Sequence, residues 1–273
     1  MQPIQISPAL AHVINSAGQK SEVDFDYLVQ TAVRESSLNP NAKAKTSSAT
    51  GLFQFIEATW FETMKSEGAR LGYKNYANAI KRDENGVFDV KDKKLRQEIL
   101  ELRKDPQIAA DLAAAFTRNN GEYLENKFGR RPSAGELYIA HFLGAKGAER
   151  MFEAGLKNPD QIAANLFPSA AKANRSIFYS NNEPRTIKQV YLSLVAKHQA
   201  NVVASEFSAQ QLASNDVAIR LDNNNQQAPL VIERDISFQN MFTTNAINEP
   251  RSLISDRSEN VNNGAFFVQL YAK

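Results

Sequence analysis

The stretch from Asp24 to Trp60 leaves this chain of 273 residues little freedom in how it folds. Phe25, Leu28, Val29, Ala32 and Val33 recur at the three-and-four spacing of one buried helical stripe, and Asp24 stands where an N-cap carboxylate accepts the first free amides. Asn39-Pro40 closes the helix, because the residue before proline is driven out of the helical region. Glu35 comes seven residues after Leu28 and three after Ala32, so its side chain continues the apolar face. A carboxylate in that position is either paired or held neutral for a purpose. A small polar loop, Asn41 to Thr50, follows, and Gly51 then opens an aromatic-rich entry into a second helix through Phe53, Phe55, Ile56 and Trp60.

The rest of the chain repeats the helical pattern. Residues 1–20 read as a short leader helix whose apolar patch, Leu10, Val13 and Ile14, packs on the body. Residues 61–90 are weakly patterned, with Lys81 to Gly86 as a turn, and read as an insertion. Leu95, Ile99 and Leu102 mark one face of a charged helix over 91–104. Asp105-Pro106 starts a long buried helix carrying Ile108, Leu112, Ala115, Phe116 and Tyr123. Ser133 and Glu136 have capping-box spacing ahead of Leu137, Tyr138, Ile139 and Phe142, and Thr186 with Gln189 repeats the device ahead of Val190, Tyr191, Leu194 and Val195. Asn158-Pro159 reads as another helix cap. The expected fold class is therefore all-α, with the folded body spanning 21–199. Residues 200–273, with eleven asparagines and no amphipathic period, read as a polar, largely disordered tail. Its last ten residues, Gly264 to Lys273, include Phe266, Phe267, Val268, Leu270 and Tyr271, an apolar end that either docks to a partner or is simply a sticky terminus.

Several function classes fall away on composition. The chain has no cysteine, so disulfides, thiolate metal sites and a cysteine nucleophile are excluded. His12, His141 and His198 are far apart in sequence and none has a second ligand at metal spacing, so no metal or other cofactor is expected. No apolar run is long enough to span a bilayer, and the N-terminus shows neither the basic start nor the apolar stretch of a signal peptide. The net charge of +2 divides unevenly. Residues 201–273 hold five Arg or Lys and eight Asp or Glu, a balance of −3, which leaves +5 on the preceding body. A mildly basic body suits an anionic polymer. With no basic stripe interleaved with aromatics, nucleic-acid binding is not expected.

Some polar residues invite chemistry. The hydroxyls of Ser47 and Ser48 are placed to orient Glu35 or a substrate, or simply to form a turn. Gln54 offers an amide donor and acceptor to a cleft, and Tyr138 a hydroxyl within reach of the glutamate.

The segments Arg34-Glu35-Ser36-Ser37-Leu38-Asn39-Pro40, Ser47 to Ile56 with Gly51-Leu52-Phe53-Gln54 at its centre, and Thr59-Trp60 resemble the soluble lytic transglycosylase (SLT) family, which has the goose-type lysozyme fold. Residues 22–199 carry the resemblance. The family's later Ala-Tyr-Asn-x-Gly motif is similar to Ala140-His141-Phe142-Leu143-Gly144, with histidine and phenylalanine in place of tyrosine and asparagine. The resemblance implies that Glu35 is the catalytic acid. It also implies substrate contacts from Ser36, Ser47, Ser48, Phe53, Gln54, Tyr138 and His141.

The implied substrate is the glycan strand of peptidoglycan, cut at the β-1,4 bond between N-acetylmuramic acid and N-acetylglucosamine to leave a 1,6-anhydro sugar. The implied place of action is the periplasm or cell envelope. A proton donor in this chemistry must be a carboxyl kept neutral, and the apolar stripe together with the aromatics after Gly51 is expected to do that. A hydrolytic muramidase using Glu57 or Glu62 as second carboxylate stays open, as does a noncatalytic peptidoglycan-binding assembly protein. The tail would meet an envelope machine or a phage component.

Overall fold

The computed structural model describes residues 6–45 and 47–196. The expected tail, its apolar end and His198 lie outside the described residues. In chain order the helices are α1 (Pro8–Ser21), α2 (Phe25–Ser36), α3 (Glu57–Glu67), α4 (Lys74–Ala79), α5 (Lys93–Glu101), α6 (Pro106–Phe128), α7 (Ala134–Leu143), α8 (Ala145–Lys157), α9 (Ala163–Leu166), α10 (Pro168–Ala173), α11 (Arg175–Phe178) and α12 (187–196). A tight 3₁₀ turn, Leu102–Lys104, joins α5 to α6. Two minimal antiparallel hairpins interrupt the helices. β1 (Lys81–Arg82) pairs with β2 (Phe88–Asp89), Lys81 opposite Asp89, and β3 (Tyr179–Ser180) pairs with β4 (Glu183–Pro184), Tyr179 opposite Pro184.

Caps written in the sequence set the starts of α2, α5, α6, α7 and α12. Asp24 Oδ1 accepts from the Tyr27 amide at 2.9 Å, Asp92 from Leu95 at 2.8 Å and Asp105 from Ile108 at 2.9 Å, each satisfying an amide with no partner inside the helix. Both capping boxes form: the side chains of Ser133 and Glu136, and of Thr186 and Gln189, exchange bonds with each other's backbone amides. Asn158-Pro159 does not cap a following helix: Asn158 is the C-cap of α8, its amide donating to the Ala154 carbonyl, and α9 starts only at Ala163, after Ile162 has bridged to Thr186. The weakly patterned 61–90 region resolves into the end of α3, then α4 and the first hairpin.

Two apolar clusters fill the body, and α6 runs through both. The first gathers Ile14 and Ala17 of α1, Leu28 and Ala32 of α2, Leu52, Phe53 and Phe55 of the turn, Trp60 and Met64 of α3, and Leu112 and Ala114 of α6. The second gathers Leu124 of α6, Tyr138 and Phe142 of α7, Met151 and Phe152 of α8, and Tyr191 and Leu194 of α12. From Ile6 on, the N-terminal segment packs on the body, and α1 makes part of the first cluster through Ile14 and Ala17. Trp60 is a core residue, as its helical spacing implies, and its indole N–H donates to the Ile99 carbonyl at 2.8 Å.

Buried acids join the elements around the first cluster. Asp111 of α6, fully buried, accepts from Lys20 Nζ of α1 at 2.9 Å, from the Tyr73 hydroxyl at 2.6 Å and from Gln107 at 3.0 Å. Burial and the Asp111 carboxylate both push the Tyr73 phenol up, so it remains the donor. Glu67, at the end of α3, accepts from Arg70 Nε at 2.8 Å and from Arg118 Nη2 and Asn119 Nδ2 of α6, each at 2.9 Å. Arg70 in turn donates to the Lys20 carbonyl and to Ser21 Oγ at the end of α1.

Burial pushes the Glu67 carboxyl up, but the bonds from Asn119, Arg70 and Arg118 outweigh it and hold the group below its ordinary value of 4.5. A carboxyl depressed by folding contributes stability that is present above its unfolded value and is lost as the pH falls through its folded value. Glu67→Gln should therefore cost about 2–4 kcal/mol in urea unfolding at neutral pH, with the gap from wild type closing below about pH 4.5. A gap independent of pH would show that the carboxylate charge is not what holds α3 to α6.

Candidate active site

α2 ends in a strained manner. Ser37 and Leu38 both take left-handed backbone angles, with φ of 53° and 63°, and their amides fold back onto the carbonyls of Val33 and Ala32. The helix therefore stops before Asn39-Pro40, and Glu35 lies in its last turn.

The Glu35 side chain is 1% exposed. Its Oε1 lies 3.2 Å from His141 Nε2 of α7 and 3.6 Å from Arg34 Nε, whose own side chain is 6% exposed. Arg34 is held on two sides. Its Nη2 donates to Thr31 Oγ1 at 3.1 Å, and its guanidinium carbon sits 4.1 Å above the centre of the Tyr138 ring. Tyr138 stacks on His141 with ring centres 6.4 Å apart, and Phe116 of α6 meets the other side of the imidazole edge-on at 6.3 Å. Tyr27 completes the group. Burial pushes its phenol up to about 12, Arg34 pulling it back and Glu35 and Tyr138 adding to the rise, so it stays neutral near pH 7.

The apolar pocket expected to keep Glu35 neutral is thus only half of its surroundings. Burial favours the neutral carboxyl, whereas the guanidinium beside it favours the ion. Arg34 escaped the sequence reading because a charged residue next to a glutamate carries no periodic signal. α7 brings the Tyr138 ring over its side chain.

The turn after the polar loop is fixed from below. Gly51 has φ of 86°, and a Cβ there would lie 1.8 Å from the Arg103 carbonyl oxygen, so only glycine fits. Arg103, 6% exposed, donates from Nη1 to the carbonyls of Ser48 at 2.7 Å and Phe55 at 3.2 Å. Burial pushes its guanidinium down from its ordinary value, with Glu57 and Glu101 opposing that shift. From above, Ser36 Oγ donates to the Leu52 carbonyl at 2.8 Å and to its own helix at Ala32. The residue after the glutamate therefore ties α2 to the turn.

The other expected contacts divide. Gln54 does not offer its amide nitrogen to an open cleft. It is 4% exposed, and Nε2 donates to the carbonyls of Ala42 at 3.1 Å and Gly51 at 2.9 Å, closing the loop on itself. Phe53 is 1% exposed and belongs to the first apolar cluster, not to a cleft wall. Ser48 is exposed and accepts from the Glu57 amide at 3.3 Å, capping α3 from outside, and Ser47 accepts from the Ala49 amide. Tyr138 and His141 meet the Glu35 cluster directly. Glu57 is bound by Arg96 Nη2 at 2.7 Å, and Glu62 is exposed on α3. Among the described residues no group of three or more His, Asp or Glu could hold a metal, and no helix is long and apolar enough to cross a membrane.

Residues 12–85 match the family model of the transglycosylase SLT domain. This match supports the resemblance carried by Glu35-Ser36 and Gly51 to Gln54, and with it a lysozyme-like, all-α domain. The matched stretch starts inside α1 and takes in α2, the Gly51 turn and α3. The α7 residues that meet Glu35 lie beyond it. At the level of the family, the SLT domain supports lytic-transglycosylase-type activity on peptidoglycan.

Replacing Gln54 removes two bonds to buried carbonyls and not a sugar contact. Gln54→Ala should cost about 1–3 kcal/mol of unfolding free energy and lower the melting temperature measurably. An unchanged melting temperature would return Gln54 to a surface role.

Proposed function

We propose that this protein is a peptidoglycan lytic transglycosylase acting in the periplasm or cell envelope, with Glu35 as the acid and then the base. The observation that carries this reading is a buried carboxylate at the end of α2, tied through Ser36 to the Gly51 turn inside the stretch that matches the SLT domain. Protonation of the glycosidic oxygen by Glu35 breaks the bond from C1 of N-acetylmuramic acid to O4 of N-acetylglucosamine. The sugar's acetamido group stabilises the charge at C1. Glu35, now ionised, takes the proton of the C6 hydroxyl, and O6 closes on C1, so no water is consumed. A second carboxylate is unnecessary on this route. Glu57, the nearer candidate in sequence, is already engaged by Arg96. The carboxylate is covered in the state described, so a glycan strand reaches it only as a neighbouring side chain shifts.

Digestion of purified sacculi followed by mass spectrometry tests the reading. Wild type should release muropeptides ending in the anhydro sugar, each lighter by one water than a lysozyme product. Glu35→Gln should lower the rate by roughly two to four decades while the helical circular dichroism persists. Reducing ends would replace the transglycosylase with a muramidase, and an unimpaired Glu35→Gln would remove Glu35 from the chemistry.

A further inference from the structure

We propose that Arg103 is a positioning residue for the cleavage, setting through the Gly51 turn and Ser36 where the end of α2 holds Glu35. The inference rests on the catalytic role given to Glu35 above. Its grounds are a line of side-chain bonds running from the α5–α6 junction to the residue after the acid. Arg103 Nη1 donates to the Ser48 carbonyl at 2.7 Å and to the Phe55 carbonyl at 3.2 Å. Between those two residues in the chain, the Leu52 carbonyl accepts from Ser36 Oγ at 2.8 Å.

The other partners of these carbonyls separate positioning from packing. Thr50 Oγ1 donates to the Ser48 carbonyl and the Thr50 amide to the Phe55 carbonyl, each at 3.1 Å. A carbonyl oxygen has two lone pairs, and the guanidinium takes the second of each. Removing it orphans neither carbonyl of the turn, so the penalty for an unpaired buried acceptor does not arise there. An apolar side chain of similar length would fill the same space without burying a charge. What it could not supply is direction. Arg103 Nε donates to the Leu100 carbonyl at 2.9 Å, which fixes one side of the planar guanidinium to α5, and Nη1 then meets the turn at a set distance. The carbonyl of the same residue lies so close to Gly51 that no Cβ fits between them. One residue thus sets the turn with both its side chain and its backbone.

A turn that drifts carries Leu52 with it, and Ser36 either follows or lets go. Either way the last turn of α2 loses its fixed height. A reacting group misplaced by about 1 Å costs about a hundredfold in rate. The cost falls on the transition state, where the Glu35 proton must meet the glycosidic oxygen, more than on glycan binding.

Two measurements on the full-length protein decide the matter. In the first, amide hydrogen exchange without substrate is compared between wild type and Arg103→Met. Exchange at Thr50 and Gly51 of the turn, and at Ser37 and Leu38 where α2 ends, should quicken about tenfold or more, with the amides of α8 unchanged. A rise at Thr50 and Gly51 alone would confine Arg103 to the turn. An equal rise in every element would make it a general packing residue, and no rise would leave it no part; each of the three overturns the proposal. No glycan is needed, so this result stands or falls separately from the product analysis on sacculi.

In the second, kcat and KM on soluble glycan fragments are measured for wild type, Arg103→Met, Arg103→Lys, Ser36→Ala and the pair Ser36→Ala with Arg103→Met. Both Arg103 variants should lose about tenfold or more in kcat with KM held within about threefold, since a lysine ammonium cannot bond Leu100 and the turn together. The pair should lose about as much as the larger single change, because both cut the same line. A loss confined to KM, a lysine variant with the wild-type kcat, or losses that multiply in the pair would overturn the proposal. Should Arg103→Met fail to fold, Arg103→Lys takes its place in both measurements, and failure of both to fold would make Arg103 a core residue only.

Discussion

The approach of Gly51 to the Arg103 carbonyl is the contact on which the site depends. No side chain fits between them, so the turn after the polar loop seats directly on the backbone that joins α5 to α6. Arg103 reinforces the seat by donating to carbonyls on both sides of the turn, at Ser48 and Phe55, and Gln54 closes the loop from within. Ser36 reaches down from α2 to Leu52 of this anchored turn, which fixes the last helical turn and the direction of Glu35 beside it. Two hydroxyl and amide side chains that look like substrate contacts in the sequence are thus spent on holding the frame that presents the acid.

The site also lies at a seam. Trp60, Phe55, Phe116, His141 and Tyr138 meet ring to ring, each neighbour 5.2 to 6.4 Å from the next, and this line leads from the first apolar cluster to the second. Arg34 caps it on the Tyr138 face. Glu35 lies where the two clusters abut, so a glutamate from one half meets a histidine from the other at 3.2 Å. An aromatic line of this kind is stiff because its rings interlock, edge to face from Trp60 to His141 and stacked from His141 to Tyr138. A carboxylate beside it keeps its place without being enclosed by polar groups alone.

What could be read from the sequence follows from which signals are local. Helix starts at Asp24, Asp105, Ser133 and Thr186 were legible because each cap bonds an amide three residues on. Glu35 was legible because it breaks an otherwise apolar stripe. The contacts of Gln54 and Phe53 were misread, since a turn that folds its side chains inward and one that lines a cleft have the same composition. The Arg34 and His141 flanks of the acid depend on α7 crossing α2, a tertiary event with a sequence separation of more than a hundred residues, and no local pattern encodes it. Arg103 was hidden for the same reason, its partners lying 48 and 55 residues back.

The knot at Asp111 bears on how the chain is made. Lys20 and Asp111 are 91 residues apart, and α1 finds its partner face on α6. Ribosomes release chains from the N-terminus, so α1 is synthesised long before the helix that covers it. Its apolar side, Ile14 and Ala17, must wait through the whole of α2 to α5, and the ion pair that pins it cannot close until Asp111 has left the exit tunnel. A helix made before α2 to α5 is therefore locked only after them. Contacts of such long range fold slowly, and a nascent chain stalled before α6 would present the α6-facing side of α1 to its surroundings.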